Sequence, residues 1–316
     1  MNILITGGAG FIGTHLTKAL LDKGHCVNVI DNLSTSDESN IHEFEANPRY
    51  RFFNANLTEN NDDFNLDFLI EDCDVIYHLA SIVGVSLVDK EPHKTIKDNL
   101  QLALHIFPLA EKYNKKVVFT STSEVYGDLE SGSSGFSEDQ TLHIKPPTKL
   151  RWGYACTKLA QEFLIHSYNF PFVIARLFNV VGPKQKGDFG MVLPRFVKWA
   201  KNNDIIKIYG DGNQTRCFCH IKDCITVMYD MGIYNECDGH IVNIGNDSEI
   251  TINELAEKVI KYTGSKSEII KIPYKAEFSK QHEDILRRVP NINKLKNLLG
   301  YTPKYTLDDI IKDMCE

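Results

Sequence analysis

Apolar and polar positions along the first half of the chain follow two alternating patterns. Short apolar runs such as "MNILIT", "CVNVID" and "KVVFTSTS" predict buried strands. The stretches between them, "FIGTHLTKALLDKG" and "PHKTIKDNLQLALHIFPLAEKY" among them, have the spacing of amphipathic helices. Strands that alternate with helices in this way predict an α/β fold, in which helices cover both faces of a parallel sheet.

The second half of the chain is less regular. A polar segment rich in Gly, Ser and Pro, residues 127–153, is predicted to be a loop of a length that is often functional. A helix from about Tyr154 and the strand "FVIARLFNV" follow, and after them come short strands between helices such as "VLPRFVKWAKN" and "TINELAEKVIKYTG". We therefore predict a main domain over residues 1–180 and a smaller lobe over residues 181–316, with some later strands returning to the main sheet.

Composition narrows the class of protein. The chain has 316 residues and a formal net charge of −7, from 35 basic and 42 acidic side chains. No Lys/Arg-rich run stands out, which argues against nucleic acid or a membrane surface as a partner. No apolar stretch approaches the ~20 residues that span a bilayer, and "MNILITGG" begins a strand rather than a signal peptide. We expect a cytoplasmic protein with reduced thiols.

Three of the eight cysteines and one of the eleven histidines cluster in "CFCHIKDC", residues 217–224. Cys-x-Cys-His spacing is compatible with partial zinc ligation, but alternate residues of a strand all point to one face and no Cys-x-x-Cys pair is present. We interpret this segment as a short strand with buried thiols, and we predict no metal site.

A glycine triplet gives the first chemical signal. Gly7, Gly10 and Gly13 follow the first strand and open the first helix, where glycine allows a tight turn and a close approach to a pyrophosphate. The next strand ends in Asp31, 18 positions after Gly13, where a carboxylate accepts hydrogen bonds from the adenosine ribose and repels a 2′-phosphate. No arginine adjoins it in "DNLSTS", so the predicted cofactor is NAD rather than NADP.

The segment "TGGAGFIG" resembles the extended short-chain dehydrogenase/reductase family, in particular its NAD-dependent nucleotide-sugar epimerase, dehydratase and decarboxylase group. Further similarity lies in "NANL", where Asn56 replaces the family's usual Asp, and in "HLAS". The resemblance implies a Rossmann doubly wound parallel sheet with a smaller C-terminal α/β substrate lobe, so that residues 1–180 bind NAD. It implies cofactor contacts at Gly7, Gly10, Phe11, Ile12, Gly13, Asp31, Asn32, Asn56, Leu57, Leu79, Ala80, Ser81, Asn99, Tyr154 and Lys158.

The catalytic residues are predicted from two further segments. "YACTK" places Tyr154 and Lys158 at i and i+4, on one side of a helix. The resemblance implies that Tyr154 is the general base on a sugar hydroxyl and that Lys158 binds the nicotinamide ribose and favours the phenolate. In "TSTSEVYG" it implies that Thr122 binds the reacting hydroxyl, with Ser123 and Glu124 in the next two positions. Glu124 could act there as a general acid or base.

The predicted substrate is a nucleoside-diphosphate sugar. The resemblance places Asn179 of "RLFNVVGP" against the substrate and gives Arg216 a diphosphate or ribose contact. Arginine suits this role because its planar fork pairs with phosphate oxygens. The predicted substrate contacts are Val83, Thr122, Asn179, Arg216, Arg287 and Arg288. The family resemblance also implies a homodimer, formed by the helices around Asn99 and from Tyr154 to Tyr168.

The resemblance implies oxidation of the sugar at C4, and several sequels stay open. Our main interpretation is a bacterial surface-sugar enzyme that stops at the 4-keto sugar, for example as a dehydrogenase on a GDP-sugar, or continues to dehydration. Glu124 argues against a simple 4-epimerase, whereas "TSEVYG" and "RWGYACTK" resemble uronate decarboxylases, whose proline-rich substrate loop is replaced here by "SIVGVSLVDKEP". The alternatives are a UDP-glucuronate decarboxylase, a UDP-sugar 4-epimerase and, from another class, a non-catalytic NAD-binding regulatory protein.

Overall fold

The computed structural model describes residues 1–59, 65–84, 88, 90–129, 133–187, 191–273 and 286–316. Fourteen strands are found in these ranges: β1 Asn2–Thr6, β2 Cys26–Asp31, β3 Tyr50–Asn54, β4 Val75–His78, β5 Lys116–Thr122, β6 Phe172–Leu177, β7 Val180–Val181, β8 Ile206–Tyr209, β9 Thr215–Cys217, β10 Cys219–His220, β11 Ile241–Ile244, β12 Glu249–Thr251, β13 Ile269–Ile272 and β14 Arg287–Arg288.

The same ranges contain ten α-helices: α1 Phe11–Asp22, α2 Ser39–His42, α3 Leu66–Asp72, α4 Pro92–Lys112, α5 Gly153–His166, α6 Val192–Asn202, α7 Ile221–Ile233, α8 Ile252–Thr263, α9 Asn293–Leu299 and α10 Leu307–Cys315. Short 3-10 helices cover Ser123–Tyr126, Leu150–Trp152 and Asn235–Cys237.

Seven strands form one parallel sheet in the order β11-β6-β5-β4-β1-β2-β3. The strand order reverses between β1 and β4, and in such sheets a ligand binds outside the carboxyl ends of the strands at that point. The predicted Rossmann sheet is therefore confirmed, and the glycine loop after β1 lies at its switch point.

Helices cover both faces because the strands are apolar on both sides. Ile3 and Ile5 of β1 pack toward α1 and α7, whereas Leu4 between them packs toward α3, α4 and α5. Successive side chains of a strand point to opposite faces, so one apolar run supplies both cores.

The later part of the chain builds three small sheets, ordered β10-β7, β12-β9-β14 and β13-β8, around a separate apolar cluster. Phe196 of α6, Leu255 of α8 and Ile310 of α10 belong to that cluster. The later part is also tied to the large sheet, because β11 forms its edge strand and α7 packs against α1.

Two predicted strands are interrupted. "FVIARLFNV" splits into β6 and β7 because Asn179 has a φ of 36°, a left-handed conformation that breaks the strand. "CFCHIKDC" contains the last residue of β9 and both residues of β10, which belong to different sheets, and the His220 side chain caps the N-terminus of α7, so Cys224 lies in a helix. The single strand predicted for that segment is therefore wrong, although Cys217, Cys219 and Cys224 are all buried as expected.

Candidate active site

The glycine loop is packed tightly on one side and open on the other. Gly7 has a φ of 72°, and a Cβ there would lie 2.7 Å from the Ala80 backbone nitrogen. A Cβ on Gly13 would lie 2.5 Å from the Gly7 oxygen, whereas one on Gly10 would meet only Gly7 at 3.3 Å and Ser36 at 4.0 Å. The backbone is thus approachable at Gly10, where no side chain caps α1. An open helix N-terminus of this kind fits a pyrophosphate.

Asp31 lies beside this loop at the end of β2. Its carboxylate accepts hydrogen bonds from the backbone nitrogens of Ala9 at 3.1 Å and Leu33 at 2.8 Å. Burial raises the pKa of Asp31, and these hydrogen bonds act in the opposite direction. The carboxylate is therefore fixed next to the loop, where it fits the adenosine ribose of a dinucleotide.

The other predicted cofactor residues surround the same strand ends. Asn99 holds the segment after β4, since its side-chain oxygen accepts from Ser81 Oγ at 3.1 Å and from the Ile82 nitrogen at 2.8 Å. Asn56 bonds within its own turn, accepting from the Thr58 nitrogen at 3.2 Å. Its adenine contact stays a prediction. Phe11 and Ile12 open α1, Asn32 follows β2, Leu57 is buried next to α4, and Leu79 and Ala80 follow β4.

Tyr154 and Lys158 lie one turn apart on α5 and face the end of β5. Both are buried, and the Lys158 ammonium donates to the Thr120 carbonyl at 2.9 Å and lies 4.8 Å from the centre of the Phe119 ring. The Tyr154 hydroxyl interacts with the hydroxyls of Ser81 and Thr122. The predicted triad of Thr122, Tyr154 and Lys158 is therefore brought together at the switch-point side of the sheet.

The pKa of Tyr154 is shifted in the direction opposite to the one that favours a phenolate. Burial, and then the charge of Glu124, raise the pKa of Tyr154 above its usual value. Burial lowers the pKa of Lys158 to about 7. The Lys158 ammonium donates to the Thr120 carbonyl, and burial dominates at Tyr154; the predicted influence of Lys158 on the phenolate stays a prediction.

Glu124 stands between two arginines from distant parts of the chain. Its Oε2 lies 3.9 Å from Arg151 Nη2, and its Oε1 lies 3.8 Å from Arg288 Nη2. The backbone N–H of Glu124 donates to Thr122 Oγ1 at 3.2 Å, which starts the 3-10 turn that contains buried Ser123. Sequence reasoning missed Arg151, although it stands in "RWGYACTK", immediately before the catalytic helix.

The three predicted substrate arginines separate into two groups. Arg216 and Arg288 are partners in register on β9 and β14 and share one face of the small sheet. Arg287 points to the opposite face, where it binds Glu249 at 2.9 Å and the carbonyl of Ser133 at 3.0 Å. The geometry thus favours Arg216 and Arg288 over Arg287 as phosphate or carboxylate ligands.

The remaining substrate predictions lie on both sides of the site. Asn179 keeps its left-handed backbone and donates from its side chain to the Cys217 carbonyl at 2.9 Å, which fixes it beside β9. Non-glycine residues in this conformation are strained and concentrate at functional sites. Val83, after β4, is 43% exposed, so its apolar side chain is accessible to a ligand.

Comparison with known proteins identifies this arrangement. Residues 3–245 match the model of the NAD dependent epimerase/dehydratase family. The chain belongs to this family. A UDP-N-acetyl-alpha-D-glucosaminuronate decarboxylase of Bacillus cytotoxicus is 35% identical over 98% of this chain and 95% of its own length. UDP-glucuronic acid decarboxylase 1 of Danio rerio is 32% identical over 97% of this chain and 70% of that protein.

A solved structure extends the comparison to three dimensions. The crystal structure of UDP-glucuronic acid 4-epimerase from Bacillus cereus, in complex with UDP-glucuronic acid and NAD, has a TM-score of 0.86 and 29% identity to this chain. The match covers 100% of this chain and 98% of that one. As a member of the NAD dependent epimerase/dehydratase family, the protein is an NAD-dependent nucleotide-sugar enzyme, as the sequence predicts.

Three further findings concern membrane-spanning helices, metal ligands and the buried thiols. No helix in the described part of the chain combines the length and the apolar character needed to cross a membrane. Within the same ranges, no group of three or more His, Cys, Asp or Glu side chains is placed to hold a metal ion. In the cysteine cluster, burial raises the pKa of the thiols of Cys217, Cys219 and Cys224.

Proposed function

We propose that the protein is a decarboxylase of a UDP-hexuronic acid, either UDP-glucuronate or its N-acetylglucosaminuronate counterpart. The observation that carries the proposal is the position of Glu124 between Arg151 and Arg288 at the end of β5. The decarboxylases of Bacillus cytotoxicus and Danio rerio support the same substrate class. They favour this alternative over our main sequence-based interpretation, a dehydrogenase or dehydratase acting on a GDP-sugar.

The two arginines suit a sugar that carries a carboxylate. Both are largely buried, with side chains 8% and 11% exposed, so a charge placed beside them is weakly screened. Their nearest nitrogens lie 3.9 Å and 3.8 Å from the Glu124 carboxylate, so both guanidinium groups reach the same part of the site. A guanidinium binds a carboxylate through two parallel hydrogen bonds. We infer that Arg151 and Arg288 orient the C6 carboxylate of the substrate.

The residues of α5 and β5 account for the proton steps. NAD, when bound, supplies the reversible hydride acceptor for C4 of the sugar. Tyr154 takes the proton of the C4 hydroxyl, and Thr122 holds that oxygen. A 4-keto uronate is a β-keto acid. Breaking its C5–C6 bond therefore releases carbon dioxide and leaves the electron pair delocalised onto the C4 oxygen, where Thr122 and Tyr154 stabilise it. Glu124 then guides a proton from water to C5. Return of the hydride to C4, with Tyr154 giving its proton back to the C4 oxygen, would complete the UDP-pentose with no net NADH.

A UDP-uronate 4-epimerase is the second candidate. The similarity to the 4-epimerase of Bacillus cereus favours it, because that structure holds UDP-glucuronic acid. The same arginines could hold a carboxylate that is retained. Glu124 supports the decarboxylase, since an epimerase needs no proton donor at C5, whereas a decarboxylase must protonate that carbon after carbon dioxide leaves.

The protein is also proposed to be a homodimer, as the family resemblance implies. Helices α4 and α5 pack against each other, and together they expose Ile96, Leu104 and Phe163, which are 36%, 53% and 71% exposed. Isologous pairing through these two helices would cover apolar surface on both protomers in a four-helix bundle.

The function is tested by incubating the purified protein with each UDP-uronate labelled with carbon-13 at C6. Release of labelled carbon dioxide together with a UDP-pentose, and no net NADH, is the expected result. UDP-glucose and a GDP-sugar, which lack the carboxylate, serve as controls. Retention of the label in an isomer would establish the epimerase instead. A 4-keto product that accumulates with NADH would restore the dehydrogenase interpretation.

A further inference from the structure

A buried ion pair lies directly behind the catalytic lysine. Tyr154, Lys158 and Glu162 occupy positions i, i+4 and i+8 of α5 and therefore line one side of the helix. The Glu162 side chain is 3% exposed. Its carboxylate accepts two hydrogen bonds from the Arg176 guanidinium, from Nε to Oε1 at 3.0 Å and from Nη2 to Oε2 at 2.6 Å. Ser121 Oγ donates to the same Oε1 at 2.5 Å. The carboxylate is thus fully occupied from β5 and β6.

The spacing alone would predict a different pairing. A lysine and a glutamate four residues apart on a helix commonly attract each other. Here both side chains are buried. Glu162 forms its ion pair with Arg176, and the Lys158 ammonium donates to the Thr120 carbonyl instead. The Glu162 carboxylate accepts three hydrogen bonds from Arg176 and Ser121, so its hydrogen bonds are made to those residues rather than to the lysine.

We propose that Arg176 and Glu162 form a positioning pair for Lys158. By engaging the Glu162 carboxylate, Arg176 keeps it from drawing the ammonium along the helix, so that Lys158 stays directed at Thr120 and at the cofactor side of α5. The inference rests on the role given to Lys158 in the proposed function, but not on whether the 4-keto sugar is decarboxylated.

Among the described residues around Lys158, Glu162 is the acidic group that acts on the pKa of its ammonium. β5 contributes the Phe119 ring and the Thr120 carbonyl, and Tyr154 is the titratable neighbour on α5 itself. From β4, His78 is fully buried and neutral: burial and the charge of Lys158 lower the pKa of its imidazole to about 3. α4 contributes the neutral Asn99, whose carbonyl binds Gln161, while its Asp98 pairs with Lys94.

The energetics agree with this geometry. Burial lowers the pKa of Lys158 to about 7, and Glu162 is the group that raises it. The positive charge of Arg176, bound to Glu162, opposes this effect. Removing Arg176 should therefore raise the pKa of Lys158, and removing Glu162 should lower it. Each variant leaves a charge of the opposite sign unbalanced in a weakly screened interior.

The test uses protein labelled with carbon-13 at lysine Cε, whose Lys158 signal is assigned by its loss in Lys158→Met. Titration by NMR follows that signal without requiring activity. Arg176→Met should raise the titration midpoint of Lys158 by about one pH unit, and Glu162→Gln should lower it by about the same amount. The double variant should return it toward the native value. Arg176→Lys, which keeps the charge, is the matched control and should shift it least.

Folding is monitored in the same samples by near-ultraviolet circular dichroism. A purely structural pair would lower stability in both single variants and would leave the midpoint unmoved or move it in the same direction in both. Either result would overturn the proposal. If Arg176→Met fails to fold, Glu162→Gln against Arg176→Lys still tests it: an unchanged midpoint in Glu162→Gln refutes the pair. Failure of the uronate assay with opposite NMR shifts would reject only the decarboxylase assignment.

Discussion

Arg288 Nη2 lies 3.8 Å from Glu124 Oε1, which joins β14 of the small sheet to the turn after β5 of the large sheet. This contact brings an arginine predicted to bind substrate next to the carboxylate predicted to assist the chemistry. It lies between the substrate side and the catalytic side of the site, and the first two predictions below depend on it.

Replacing Arg288 tests the proposed carboxylate contact. Arg288→Gln should reduce kcat/KM for a UDP-uronate by roughly 30-fold, because the loss of a charge-assisted hydrogen bond costs about 2 kcal/mol. Steady-state rates of carbon dioxide release measure this. Arg287→Gln is the matched control, since Arg287 binds Glu249 and the 133–134 loop on the opposite face. Equal losses in both variants would argue against a specific role for Arg288.

The role of Glu124 is tested by Glu124→Gln. The variant should still oxidise C4 but should complete the decarboxylation slowly, because the proton at C5 is no longer guided into place, so that 4-keto sugar and NADH accumulate and little UDP-pentose forms. Full conversion to the pentose would exclude Glu124 from the later step. Burial and then the charge of Glu124 raise the pKa of Tyr154, so the same change should lower that pKa and shift the ascending side of the oxidation profile, which follows the general base, to lower pH.

Much of this site was predictable from local patterns, and the rest depends on how distant segments meet. The glycine loop, Asp31 and the Tyr154–Lys158 spacing are short-range signals, and the structure brings them to one edge of the sheet. By contrast, Arg287 and Arg288 are neighbours in sequence, and only the pairing of β14 with β9 decides which one faces Glu124. Arg151 reaches the site because of the path of the long loop, which no periodicity predicts. The apolar run that contains Asn179 is predicted as one strand, because the sequence has no signal for the left-handed backbone that divides it there.

Cofactor preference is tested at Asp31. Asp31→Arg should weaken NAD binding at least about tenfold and improve NADP binding, because a guanidinium replaces the carboxylate that fits the ribose. Binding is measured by calorimetry with each cofactor. Ser36→Ala is the control, since the Ser36 hydroxyl lies 3.4 Å from Asp31 and contributes only weakly to holding it. Unchanged NAD affinity in Asp31→Arg would refute the role of Asp31.

The proposed dimer is tested at Phe163, the most exposed apolar residue of the α4–α5 pair. Phe163→Glu should give a monomer in light scattering, because a buried charge in each protomer would oppose isologous pairing. Phe68→Glu provides the comparison, since Phe68 is 57% exposed on α3 and is not part of the α4–α5 pair. A dimer that persists in Phe163→Glu, or a native protein that is already monomeric, would contradict the four-helix interface.

The last prediction concerns acid stability and the attachment of the C-terminal helix. His220 is fully buried, caps α7 by accepting the Lys222 N–H at Nδ1 at 2.9 Å, and binds Asp313 of α10 through Nε2 at 3.2 Å. Burial lowers the pKa of its imidazole, so the unfolded chain binds a proton more readily than the folded one. Stability should then fall as pH drops below the unfolded value of about 6.5. His220→Asn keeps a cap that cannot titrate, and its unfolding free energy should vary less between pH 7 and pH 5 in urea titrations. The same pH dependence in both proteins would place the acid-sensitive group elsewhere.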